Sequence, residues 1–127
     1  MMTLALTTDR LLKSVGKRVH NDQGKYLGEI IEVTRNSAGG YIEYAILKSD
    51  QLFDNEERFF AIPVCSDLMK IIEIGEIVLS ADREELHFSD AIMGKHLPHQ
   101  NLRVNPNIFE LFEYDSLKQN IKLVQGE

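Results

Sequence analysis

Val15-Gly16-Lys17-Arg18-Val19-His20-Asn21-Asp22-Gln23-Gly24-Lys25-Tyr26-Leu27-Gly28-Glu29-Ile30-Ile31-Glu32-Val33 decides the fold, because it reads as two short strands joined by a tight turn. Asn21, Asp22 and Gly24 are residue types that tolerate the dihedrals of such a turn. After it, Leu27, Ile30 and Val33 are apolar while Glu29 and Glu32 are charged. That pattern suits a half-buried strand bent near Gly28 and the Ile30-Ile31 pair. A glycine inside a strand marks a bulge or a close backbone approach, so Gly16, Gly24 and Gly28 are read as geometry.

A phosphate-cradling loop is the functional rival, and it fails. Gly24-Lys25 lacks the following Ser or Thr, and Val19 stands where the first glycine of a Walker motif would be. The dinucleotide fingerprint fails too, since no two glycines of the stretch have its one-residue spacing and no crossover helix follows.

Working outward, a polar loop over 34–40 leads into Tyr41-Ile42-Glu43-Tyr44-Ala45-Ile46-Leu47, a run of β-formers that predicts a central strand. An acidic loop over 49–58 follows, with Leu52 and Phe53 in its middle. Its carboxylates lack the alternating ligands and central glycine of a calcium loop. Phe59 to Ile62 then reads as a strand stopped by Pro63. Residues 69–74 and 77–79 flank Gly75-Glu76 as a last hairpin; a helix through Leu68, Ile71 and Ile72 also fits the spacing, but the β-branched residues favour strands. Asp82 followed by Glu85 marks the start of one short helical turn ending near Phe88.

With 127 residues and 43% apolar content, the chain can bury one core. Its apolar runs are too short for a membrane span, and Met1 to Thr8 has no basic leader region, so a soluble, cytoplasmic protein is expected. The single cysteine, Cys65, has no internal disulfide partner and fits a reducing compartment. Net charge is −6, which argues against direct nucleic-acid binding. The first hairpin region is nevertheless mildly basic, carrying Arg10, Lys13, Lys17, Arg18, Lys25 and Arg35 against Asp22, Glu29 and Glu32. Such charges either solvate outward strand faces or orient a partner.

The order Val15-Gly16-Lys17-Arg18-Val19, Asp22-Gln23-Gly24, Leu27-Gly28-Glu29-Ile30, a strand at 41–47, then Phe60-Ala61-Ile62-Pro63 and Leu68, resembles the PRC-barrel. That domain is shared by the cytoplasmic part of the photosynthetic reaction centre H subunit and the C-terminal part of a ribosome maturation factor. The resemblance spans roughly residues 10–90. It implies a mainly β protein, a small barrel of about six strands, with Val15, Val19, Leu27, Ile30, Val33, Ile42, Tyr44, Ile46, Phe60, Ile62, Ile77 and Leu79 in its core. Residues 1–90 would form the barrel and 91–127 an extension. Ser89-Asp90-Ala91-Ile92 through Pro98 is similar to a segment of standalone family members that carries an Ala-Pro dipeptide, but Ile92 replaces the proline and there is no Trp.

In that extension, Asn105-Pro106 reads as an N-cap followed by proline at the first helical position. A helix is expected from 106 to about 114, with Ile108, Leu111 and Phe112 on one face. Leu117, Ile121 and Val124 continue at helix-like spacing, although 121–124 reads equally as a strand. Such an apolar tail packs on its own barrel or on a second subunit; Ile108, Leu111, Phe112, Leu117 and Ile121 are the expected oligomer interface.

No catalytic constellation stands out, and neither a cofactor nor a metal is expected. Nothing places His87, His96 or His99 beside Cys65, and His96 and His99 flank Leu97-Pro98, which keeps them off one helical face. His20 beside a polar turn is read as a surface residue. Tyr26, Tyr41 and Tyr44 are as ordinary in strands as on a base-stacking platform. The expected function is a non-enzymatic protein-interaction or adaptor module that self-associates, with Lys17, Arg18, Lys25, Leu52 and Phe53 meeting a protein partner. The alternatives are a ribosome-assembly or RNA-metabolism factor acting through a ribosomal protein or RNA, and a small-ligand-binding barrel.

Overall fold

The computed structural model describes residues 3–36, 40–49, 57–73, 75–93, 97, 107–112 and 123–124. In chain order its elements are β1 (Thr3–Leu4), α1 (Thr8–Lys13), β2 (Arg18–Asn21), β3 (Tyr26–Arg35), β4 (Ile42–Ser49), β5 (Arg58–Pro63), β6 (Met69–Ile72), β7 (Ile77–Leu79), α2 (Arg83–His87), β8 (Asp90–Met93), β9 (Phe109–Phe112) and β10 (Leu123–Val124).

The opening hairpin is β2–β3. The Asn21 side chain accepts from the backbone N–H groups of Gln23 and Lys25, both at 2.9 Å, and Gly24 takes a φ of +81°. Both bends fall where the sequence places them. Val19 pairs with Gly28 but His20 with Tyr26, leaving Leu27 as the extra residue; on the other side Ile30 pairs with Leu47 but Glu32 with Ile46, leaving Ile31 extra. Each bulge deepens the local twist, which lets one long strand curl around a core.

All strands join one sheet in the order β1-β6-β7-β2-β3-β4-β5-β9-β8, with β10 on β3 off that path. Most pairs are antiparallel; β2–β7 and β8–β9 are parallel. The expectation of about six strands closing into a barrel is therefore corrected. Among the described residues there are ten, and the path is open, ending at β1 and β8.

Buried side chains form two groups. The larger includes Leu11, Val19, Leu27, Ile30, Val33, Phe60, Ile62, Ile77, Leu79 and Leu86. The smaller holds Tyr44, Ile46, Ala61 and Leu111, with Ile31, Phe59 and Leu97 packed against it. Strand β4 is buried on both faces, Ala45 and Leu47 in the larger group, Tyr44 and Ile46 in the smaller. That accounts for its nearly unbroken apolar run. Of the expected core, Val15 alone is only partly buried.

Beyond residue 90 the expected helix over 106–114 gives way to β9. Phe60 and Ala61 of β5 offer a ladder edge that Glu110 and Phe109 take up, and the Arg58 Nε lies 3.6 Å from Glu110 Oε2. Tertiary pairing here overrides a local helix-start signal. In the extension β9 and β10 are strands, not helix, and they pair with β5 and β3 of the same chain, while β8 pairs with β9. Leu111 is buried, Ile108 packs against the larger group and Phe112 is 44% exposed; Leu117 and Ile121 lie outside the described residues.

Candidate interaction surface

The mildly basic start of the chain becomes, in three dimensions, the wall of a groove. Thr7 caps α1 by accepting from the Arg10 N–H at 3.2 Å. Leu11 then turns into the core, and the Ser14 hydroxyl donates to the Leu11 carbonyl. One buried stripe on a short helix leaves the other side to water, and Arg10 and Lys13, three positions apart, share that side. Lys17 is pinned at the backbone: its N–H donates to the Ser14 carbonyl at 3.0 Å and its carbonyl accepts from the Ile30 N–H at 3.0 Å. Gly16 makes the connection, with a φ of +89° and its N–H on the Ile30 carbonyl.

Arg10, Lys13 and Lys17 thereby stand around a groove floored by Leu4, Ile71 and Ile77, with Glu73 the acidic residue of its rim. Its volume is about 240 Å³, below the ~300–1,000 Å³ of typical small-molecule pockets. The Arg10 guanidinium donates to the Ala5 carbonyl at 3.0 Å, which fixes its position and leaves further N–H groups on the fork.

A second groove, of about 490 Å³, lies at the other end of the hairpin and is lined by Asn21, Gln23, Lys25, Asp82, Glu84 and His87. Every one of these is polar, whereas ligand pockets are mostly apolar with a few placed polar groups. The Asp82 side chain is engaged in capping α2 through the Glu85 N–H at 2.8 Å. Among the described residues no apolar side chain lines it.

A family model for the PRC-barrel domain matches residues 13–86, more than half of the chain. The chain belongs to the PRC-barrel domain family. No match is found among curated proteins. The PRC-barrel match begins at Lys13 in the groove wall, ends within α2 and includes Val15 to Val33, the stretch that fixes Lys17.

Of the sequence-predicted partner residues of this PRC-barrel, the three described ones do not share one groove. Lys17 lines the apolar-floored groove, Lys25 the polar one, and Arg18 is exposed at the start of β2; Leu52 and Phe53 lie outside the described residues. What sequence reading missed is the floor, Leu4 with Ile71, and the helix α1 that brings Arg10 and Lys13 to Lys17. Thr7 ahead of Asp9 and Leu11 was the usable signal, an N-cap before an apolar pair.

The remaining candidates are placed as follows. Cys65 is half-buried against the larger core group, and its carbonyl accepts from Leu68 and Met69. His87 instead meets Arg58 at 3.4 Å and Phe88 edge-on at 4.9 Å. His96 and His99 lie outside the described residues. His20 is half-buried, packed edge-on to Tyr26 at 5.7 Å, rather than a free surface residue. Tyr44 is fully buried and so is unavailable to stack on a base. No helix among the described residues is long and apolar enough to cross a membrane.

Proposed function

We propose that this PRC-barrel is a non-enzymatic, cytoplasmic protein-interaction module that docks a protein segment through the groove between α1 and β6–β7. The observation carrying this reading is a groove where the half-buried Leu4, beside the buried Ile71 and Ile77, is walled by Arg10, Lys13 and Lys17, in a chain whose overall charge is −6. A local cationic rim on an acidic protein selects acidic partners and repels basic ones. The groove is too small to enclose a cofactor-sized ligand and suits instead one or two apolar side chains flanked by carboxylates.

Quantitative affinity capture with the intact protein, in parallel with Lys13→Ala/Lys17→Ala, tests it. The reading expects at least one captured protein to be lost with the variant while circular dichroism is unchanged. Equal recovery of every captured protein overturns it.

A further inference from the structure

The groove's charge and shape have a counterpart in this same sequence. Residues 50–56 read Asp-Gln-Leu-Phe-Asp-Asn-Glu, three carboxylates around two adjacent large apolar side chains. They lie outside the described residues, between β4 and β5. The neighbouring Glu57 is already engaged, its Oε2 3.4 Å from Lys48 Nζ, so Asp50, Asp54 and Glu56 are the charges at issue.

We propose that the groove of one PRC-barrel takes residues 50–56 of a second copy, with Leu52 and Phe53 against the partly exposed Leu4 and the alkyl stems of Arg10, Lys13 and Lys17, and the carboxylates facing the three cationic heads. This rests on the docking reading above and names its partner. The complementarity is three cations, with Glu73 among them, against three anions, and an apolar pair against the half-buried Leu4. Two chains of net charge −6 repel as wholes, and a local contact of opposite sign offsets that repulsion. Groove and segment are different patches, and a two-fold axis makes each contact occur twice, closing the assembly as a dimer.

Charge reversal tests this with the full chain. Light scattering is expected to give a dimer for the wild type, and monomers for Lys13→Glu/Lys17→Glu alone and for Asp54→Lys/Glu56→Lys alone. Mixing those two variants restores a one-to-one dimer, because both contacts of the mixed pair again match opposite charges. Leu52→Ser/Phe53→Ser is expected to be monomeric with unchanged circular dichroism, and added salt is expected to weaken the wild-type dimer.

A wild type that is monomeric at its highest soluble concentration overturns the inference, as does a dimer that survives either reversal or a mixture that stays monomeric. A monomer that still loses a different protein on Lys13→Glu/Lys17→Glu overturns the inference but leaves the docking reading standing. A monomer whose groove variants lose nothing overturns both.

Discussion

Gly28 lies against the carbonyl of Lys48 on the neighbouring strand so closely that a Cβ at position 28 would overlap that oxygen and meet Leu47 Cδ1 at 3.1 Å. Its φ of +153° is also one that side-chain-bearing residues rarely adopt. Gly24, by contrast, has open space around it and only the φ to satisfy.

Gly28→Ala is therefore expected to cost about 3 kcal/mol, combining backbone strain with overpacking, and Gly24→Ala about 1 kcal/mol. Urea unfolding of the two variants measures the gap. Equal costs would mean that the strand can shift at position 28 and that the close approach to Lys48 is not a constraint.

Tyr44 predicts an alkaline limb of instability. Burial pushes its phenol far above the ordinary tyrosine range, with the neighbouring Glu43 charge and then Tyr41 adding to the rise. In the unfolded chain the same phenol ionises near ~10. Above that pH the native state holds a proton the unfolded state has lost, so stability is full below about 10 and falls as pH climbs beyond it. Chemical denaturation against pH is expected to show this slope in the wild type and a shallower one in Tyr44→Phe.

Arg58 bridges β5 to Glu110 of β9, a carboxylate residue only 8% exposed. Arg58→Ala withdraws that cation from a nearly buried acid, at an expected cost of about 2 kcal/mol. Arg58→Ala/Glu110→Gln is expected to recover part of the loss, since the remaining group is then neutral. A double-mutant cycle with no coupling would refute the link.

Truncation after Asp90 removes β9 and uncovers the edge of β5 at Phe60 and Ala61. It also strips Leu111 from the smaller buried group. Exposed apolar edges template association, so the truncated protein is expected to be less stable and to scatter as aggregates. A clean, cooperatively folding monomer would show that residues 1–90 suffice.

The first hairpin, the two bulges of β3 and the Asp82 cap were legible in the sequence because each is set by residues within a few positions of one another. Asn21 caps its own turn, and Gly28 announces a close approach wherever the neighbouring strand lies. The C-terminal strand was illegible for the opposite reason. Phe109-Glu110-Leu111-Phe112 follows a sound helix-start signal at Asn105-Pro106, and only the free edge of β5, almost fifty residues earlier, makes it a strand. The groove was half legible: Lys13 and Lys17 were counted as basic, but their floor comes from Leu4, Ile71 and Ile77, which no local pattern connects to them.

The parallel pairing of Val19 with Ile77 also sets a timetable for the growing polypeptide. The β2–β3 hairpin is complete once Arg35 has been made, yet one side of β2 waits for a strand 58 residues further on, 77 minus 19. Closing so long a loop is entropically slow compared with forming a hairpin. During synthesis that side of β2 stands uncovered, and a nascent chain in this state is the species that most needs shielding from its neighbours.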